Sequence, residues 1–369
     1  MVSRRVALLG GGNGARTAAA EFGVAGHEVV MYEFPGFASS LAGIVQSGVI
    51  CADGAISGIA PVRVTTDIAE AVRGADVIMV VVPTVHQLEF ARALAPELTD
   101  GMDIVLMPGS LGSLELFEYF RRQGPLPDIT VSEIAALPYA TRISGPCDVT
   151  VFGRRRYVSV GVFPASKSDR VRVVMDDLYP GIRMHANVLE AGLNNPNPTL
   201  HCLGVLMSAS RIEYSHGDFY YYEEGMTPHV CRAIEAIDAE RVAVGQSLGL
   251  DILSLVDTYD IMGYGPKGDN LWSVIRGVIC LNGIKGPTEI DSRYLTEDVP
   301  IGLTIYSELG QQLGVDVPIM TSVITLAGAL LSRNFVAEGR TVARCGIAGM
   351  SREQLLEYVE TGTSEPALG

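Results

Sequence analysis

Five short stretches of the sequence combine residue types and spacings that can do chemistry. In GGGNGA, residues 10–15, Gly10, Gly12 and Ala15 occupy the three positions of a G-x-G-x-x-G/A pattern, with Asn13 and Gly14 between them. Glycines so spaced allow a tight turn and close approach of a pyrophosphate, and the free N–H groups of a following helix supply partial positive charge. Glu33 closes the next apolar run, HEVVMYE, where a carboxylate can accept the ribose hydroxyls of adenosine and repel the extra phosphate of NADP. VVVPTVH brings Pro83 and His86, and VLMPGSLGSLE brings Gly109 and Ser110, to the ends of two further runs. Either turn suits a nicotinamide or a substrate carboxylate, and either is equally readable as ordinary loop punctuation. In LNNPNPTLHCL, residues 193–203, Asn197 reads as a helix cap and Pro198 as the first helical residue, which puts His201 in the opening turn. A histidine there is either a structural group with one satisfied hydrogen bond or a general acid–base.

The elements needed to position these residues follow from hydrophobic periodicity. RVALLG, HEVVMYE, DVIMVVVP and DIVLMPG read as buried strands, with helical patterns in ARTAAAEFGVAG, DIAEAVRGA and VHQLEFARALAPEL between them; this is the βα winding of a parallel sheet. ITVSEI, CDVTVFG and YVSVGVFPA add further strands. After residue 187 the pattern turns helical, with helices expected over 198–212, 228–248, 251–261, 270–277, 302–313, 318–332 and 351–360. The expected architecture is an α/β Rossmann dinucleotide-binding domain, residues 1–187, followed by an all-α domain, residues 188–369. The tail TGTSEPALG reads as loose.

Composition narrows the partners. With 48% hydrophobic and 19% charged residues, the 369-residue chain is globular. Its 27 basic and 42 acidic residues leave a formal charge of −15, which disfavours non-specific binding to nucleic acid or anionic membrane. An anionic substrate therefore needs local positive charge. The six cysteines show no metal-ligand spacing, so no metal is expected, and the N-terminus enters a strand-like run without a signal peptide. A reducing cytoplasm is the expected location.

Longer motifs point further. GGGNGA, VVPTVH, NNPNPTLH, YYEEGMTPHV followed by IDAERVAVGQSLG, and above all SRYLTEDVPIGLTIYSELGQQLGVDVP, with RNFVAEGRT and CGIAG after it, resemble the octopine/nopaline (opine) dehydrogenase family over nearly the whole chain. The resemblance implies an NADH-dependent reductive condensation: an amino acid or amine and a 2-oxo acid such as pyruvate form an imine, whose reduction gives an N-(carboxyalkyl)amino acid. It implies that His201 exchanges the proton, that Asp298 orients its imidazole, and that Arg293 binds a substrate carboxylate. It also implies that Glu133 lies near the amino-donor pocket, with Ser110 and Asn197 on the substrate side, and that the enzyme is a homodimer. Arg293 suits its role on physical grounds too, because a planar guanidinium takes a carboxylate in two parallel hydrogen bonds; a surface ion pair with Glu297 or Asp298 is the alternative. IAALPYATR after Glu133 is more apolar than a strongly polar amine needs, and Tyr220, Tyr221 and Tyr222 read either as pocket lining or as core.

Two other functions remain open at this point. A ketopantoate-reductase-like enzyme of the same architecture reduces a 2-oxo acid without an amine; such enzymes usually rely on a lysine in the helical domain, whereas here the opening turn offers His201. A non-catalytic NAD-binding sensor needs no proton relay at all.

Overall fold

The computed structural model describes residues 2–262, 267–278 and 281–363. Cys280 and the last six residues of the tail expected to be loose lie outside them. The chain forms two compact units, one running up to Ala191 and including Val359–Gly362, the other spanning Gly192–Tyr358. The return of Val359–Gly362 to the first unit has no counterpart in the hydropathy pattern.

The first unit holds twelve strands: β1 (Arg5–Leu9), β2 (Glu28–Tyr32), β3 (Val49–Gly54), β4 (Gly58–Pro61), β5 (Arg63–Thr65), β6 (Val77–Val80), β7 (Asp103–Leu106), β8 (Thr130–Ile134), β9 (Tyr139–Ile143), β10 (Asp148–Arg154), β11 (Ser159–Gly161) and β12 (Arg183–Met184). Eight of them make one sheet in the order β12-β11-β8-β7-β6-β1-β2-β5, parallel throughout except where β11 runs against β8. The central strand β6, VIMV, is wholly apolar and buried, as a strand covered on both faces must be. From β1 the chain goes to β2 on one side and later to β6 on the other, so the strand order reverses beside β1. That reversal opens a crevice at the carboxyl ends of β1 and β6.

The helix Asn13–Val24 lies on β1 with Ala15, Ala18, Ala19 and Ala20 fully buried, small side chains that let it approach the sheet closely. A second sheet, β4-β3-β10-β9, packs against the same helix. CDVTVFG, expected as a further strand, belongs to this second sheet, paired with β3 and β9. The partner strands Val49–Gly54, Gly58–Pro61 and Tyr139–Ile143 are short and rich in glycine and polar residues, so no clean alternation announces them.

Among the described residues the second unit is helical, apart from a one-residue bridge between Tyr220 and Lys285. The helix expected over 198–212 is divided, Asn197–Met207 and Ala209–Ser215, because the backbone leaves helical geometry at Ser208 (φ −103°, ψ 6°). The longest helix, Pro228–Ser247, starts at Thr227, whose hydroxyl accepts the Val230 N–H. It carries two buried anchors. Arg241 pairs with Asp238 and donates to the carbonyls of Leu193 and Leu253, and Glu240 accepts the Ile319 and Met320 N–H groups at 2.8 Å each. The Glu240 carboxylate thus caps the helix Pro318–Leu331 and neutralises its exposed donors.

Candidate active site

In the first unit the glycine turn sits at the end of β1. Gly10 has φ +119°, and a Cβ there would come within 2.7 Å of the Val81 carbonyl oxygen, so only glycine fits. Gly14 is closed by Leu137, whose Cδ1 would lie 2.8 Å from an added Cβ, whereas a Cβ at Gly12 would meet nothing within 4 Å. The turn is thus packed on the protein side and open on the other, which leaves a cradle a side chain would fill. Ala15 is buried in the first turn of the helix. The Asn13 side chain accepts the Ile143 N–H at 2.7 Å, so its carboxamide oxygen is engaged within the protein.

Glu33 follows β2 directly and is almost wholly buried. Its carboxylate accepts the Phe34 N–H at 2.9 Å, and an oxygen would lie 2.9 Å from a Cβ at Gly11. Burial raises its pKa, while the Phe34 and Gly11 backbone N–H groups pull it back. Pro83 precedes a short turn, Thr84–His86, in which His86 is exposed and lies 3.4 Å from Glu89.

The turn after β7 departs from the sequence reading. Ser110 (φ +55°) and Leu111 (φ +62°) are both left-handed, a conformation costing roughly 1–2 kcal/mol per non-glycine residue. Glu133, completely buried, holds this turn: it accepts the Leu111 N–H at 3.1 Å, the Ser113 N–H at 3.3 Å and the Ser113 hydroxyl at 3.1 Å. A Cβ on Gly109 would come within 2.1 Å of the Glu133 Cβ. Glu133, expected near an amino donor, thus also ties down the backbone at 111–113, directly after Ser110.

In the second unit the helix begins one residue earlier than expected. The Asn195 side chain accepts the Asn197 N–H at 3.1 Å, which leaves Pro196 as the cap and makes Asn197 the first helical residue. Asn197 is therefore not the cap. It is half-buried, and its carboxamide has no hydrogen-bond partner among the described residues. His201 falls at the fifth helical position, and because helical side chains tilt towards the N-terminus, its ring leans back over the first turn.

That ring is held from three sides. Nδ1 lies 2.8 Å from Asp298 Oδ2, Nε2 lies 3.3 Å from the Tyr222 hydroxyl, and the Tyr294 ring packs on its face with centroids 4.3 Å apart. A carboxylate only accepts, so Nδ1 carries a proton, and the lone pair of a neutral imidazole sits on Nε2, facing the Tyr222 O–H. Burial pushes the Asp298 carboxyl up from its usual range, with His201 and Arg293 pulling the other way. Tyr221 lies beneath, donating to the His201 carbonyl oxygen at 3.0 Å and stacking on Tyr294. Burial raises both Tyr221 and Tyr222 well above the normal phenol range, so both stay protonated donors.

Asp298 opens a wide π-type turn, Asp298–Leu303, between the helices Arg293–Thr296 and Thr304–Gln312. Gly302 explains how this turn reaches the histidine helix: a Cβ there would come within 2.1 Å of Pro198 Cγ, so the absent side chain admits the first turn of that helix. Arg293 is 72% exposed and pairs with Glu297, its Nε and Nη2 lying 2.8 and 2.5 Å from one carboxylate oxygen. The ion pair weighed as the alternative for Arg293 is thus present, on the outward side of the turn that carries Asp298.

Of the aromatic trio, Tyr222 belongs to the site, Tyr221 to the packing under it, and Tyr220 to the surface, where Lys285 lies over its ring. Tyr294 escaped sequence reasoning although it sits inside SRYLTED, because nothing in its type or spacing distinguishes it from core.

Comparison with known proteins adds independent findings. Residues 184–331 match the family described as NAD/NADP octopine/nopaline dehydrogenase, alpha-helical domain. An opine dehydrogenase of Arthrobacter sp. (strain 1C) is 32% identical over 360 residues, 97% of this chain and 99% of that protein. Among solved structures, an octopine dehydrogenase with NADH and L-arginine superposes with a TM-score of 0.75 at 19% identity, covering 100% of both chains. A yersinopine dehydrogenase with NADP+ bound gives 0.70 at 14% identity, covering 97% of this chain and 98% of that one.

Proposed function

The chain belongs to the octopine/nopaline dehydrogenase family, and from that premise we propose how its residues carry out the reductive condensation of an amino acid or amine with a 2-oxo acid. The enzyme is an oxidoreductase of the CH–NH class: amine and 2-oxo acid lose water to form an imine, and hydride and a proton complete the secondary amine. Bound nicotinamide dinucleotide supplies the hydride. The cradle over Gly12 and the N–H groups opening the Asn13–Val24 helix fit its pyrophosphate, and Glu33 fits the adenosine ribose. Ser110, Pro83 and His86 line the turns at the carboxyl ends of the neighbouring strands.

The observation that carries the catalytic assignment is the contact of His201 Nδ1 with Asp298 Oδ2 at 2.8 Å. Asp298 fixes the tautomer, so Nε2 is the atom that exchanges a proton with the reacting nitrogen or carbonyl oxygen. Tyr222 holds Nε2 until substrate takes its place. Arg293 attracts a substrate carboxylate in a chain of net negative charge, with Asn197 offering a neutral hydrogen-bonding group on the same unit. A homodimer in the cytoplasm completes this reading; no helix among the described residues is long and apolar enough to cross a membrane.

The test is NADH loss with 2-oxo acids alone and with a panel of amines and amino acids. Turnover is expected only when both substrates are present. NADH oxidation by a 2-oxo acid alone, at equal rate and giving a hydroxy acid, would move the enzyme to the ketopantoate-reductase-like class.

Two further outcomes follow from single residues. Glu33 repels a 2′-phosphate, so NADH is preferred by kcat/KM, and Glu33→Ala narrows the preference by raising KM for NADH. NADPH used as well as NADH by the wild type contradicts this role. Arg293→Ala raises KM for one organic substrate by about 10–100-fold, the worth of a charged hydrogen bond, with NADH affinity unmoved. Arg293→Lys restores only part of it, since the two-pronged geometry is lost. Unchanged KM values for both substrates would leave Arg293 as the partner of Glu297 alone.

A further inference from the structure

Cys51 lies on β3 and Cys147 just before β10, 96 positions apart in the chain, so their pairing is invisible to any local spacing rule. The strands bring them together: the Cys51 N–H donates to the Cys147 carbonyl at 2.9 Å, and Cys51 stands opposite Asp148 in the parallel register. One ligand atom from each of Cys51, Cys147 and Asp148 lies within 4.8 Å of the others, and Cys147 Sγ is 3.8 Å from Asp148 Oδ2. All three residues are half-buried, which leaves a path for an ion from solvent.

We propose that Cys51, Cys147 and Asp148 form a binding site for a thiophilic divalent cation of the Zn2+ type. Tetrahedral zinc, with Zn–S near 2.3 Å and Zn–O near 2.0–2.2 Å, spaces its sulfur and oxygen donors about 3.5 Å apart. The Cys147–Asp148 pair needs only a few tenths of an ångström of closure, and the other spacings, within 4.8 Å, need about 1 Å at most. Two protein sulfurs and one oxygen leave the fourth position for water or a small ligand. The carboxylate is what selects a cation here: a bond between the two thiols would make no use of Asp148, whose only side-chain partner among the described residues is the Cys147 thiol. Thiols ligate such a cation as thiolates, so binding releases protons. The charge is balanced locally, since the Arg16 guanidinium donates to the Pro146 carbonyl at 3.1 Å and interacts with Cys147. Three negative donors then face a divalent cation and one arginine.

The test uses the intact chain under a phosphine reductant. Equilibrium dialysis against Zn2+ and titration with Co2+, whose thiolate complexes have intense charge-transfer absorption, are run on wild type, Cys51→Ser, Cys147→Ser and Asp148→Asn. Wild type is expected to bind one ion per chain, to show the thiolate–cobalt band, and to melt at higher temperature with Zn2+ present, because the folded state alone assembles the three donors. Each serine variant removes the thermal shift and weakens binding by at least about tenfold, and Asp148→Asn does so by about tenfold with the band retained. Serine is a close isostere, and a normal melt without metal verifies that each variant folds. Metal binding equal in wild type and both serine variants overturns the site. So does a wild type that binds no ion and, without reductant, loses two titratable thiols, since the pair is then a disulfide.

Discussion

His201→Ala lowers kcat by about 10²–10⁴, the usual share of a general acid–base group, while NADH affinity stays near wild type. The separation follows from where the residue sits. Gly10, Gly12 and Glu33, proposed above for the dinucleotide, lie in the first unit, whereas His201 contacts Asp298, Tyr222 and Tyr294 in the second. The variant still folds but melts somewhat earlier: the ring gives up one aromatic contact of about 0.5–1.5 kcal/mol and its bonds to Asp298 and Tyr222, a lost buried partner costing about 1–3 kcal/mol, while Tyr221, Pro198 and Gly302 still hold the helix. Kinetics, dinucleotide titration and a thermal melt on one preparation check all three statements. A variant that melts far earlier yet turns over normally when folded makes this histidine a structural group.

Asp298→Asn produces a loss of similar size by a different route. The carboxylate accepts the Nδ1 proton and leaves Nε2 with its lone pair; a carboxamide can present N–H to Nδ1 instead, which moves the ring proton to Nε2 and removes the base. The amide also lacks the charge that stabilises the imidazolium formed in the reaction. Because the two residues act as one unit, the double variant His201→Ala/Asp298→Asn loses far less than the product of the single losses. Fully multiplicative effects would mean that Asp298 acts elsewhere.

The parts of the site that local chemistry dictates could be read from the residues alone. A glycine turn between an apolar strand and a helix has few other uses, and Asn-Pro-Asn-Pro before a helix fixes where that helix starts to within one residue; the shift came from Asn195, an equally good cap two positions upstream. Features set by tertiary packing were not legible. That Glu133 takes up the backbone donors left by the left-handed turn at Ser110 and Leu111 has no pattern in the residues. CDVTVFG reads as a strand, but period-two alternation says nothing about which sheet a strand joins. The wide turn Asp298–Leu303, which carries the orienting carboxylate to the histidine, has no sequence pattern of its own, and the Gly302–Pro198 contact that seats it spans more than a hundred residues.

The central claim, that the His201–Asp298 pair moves the proton, is tested most directly by kcat/KM against pH for wild type and His201→Ala. In the condensing direction the ring gives a proton and in the oxidative direction it takes one, so the pH profiles of the two directions slope oppositely. Burial raises the Asp298 carboxyl, so protonation of that group cuts activity on the acid side at a higher pH than an ordinary carboxylate would. His201→Ala is expected to lose the opposed slopes of the two directions. A variant that keeps the wild-type profile in both directions would contradict the assignment.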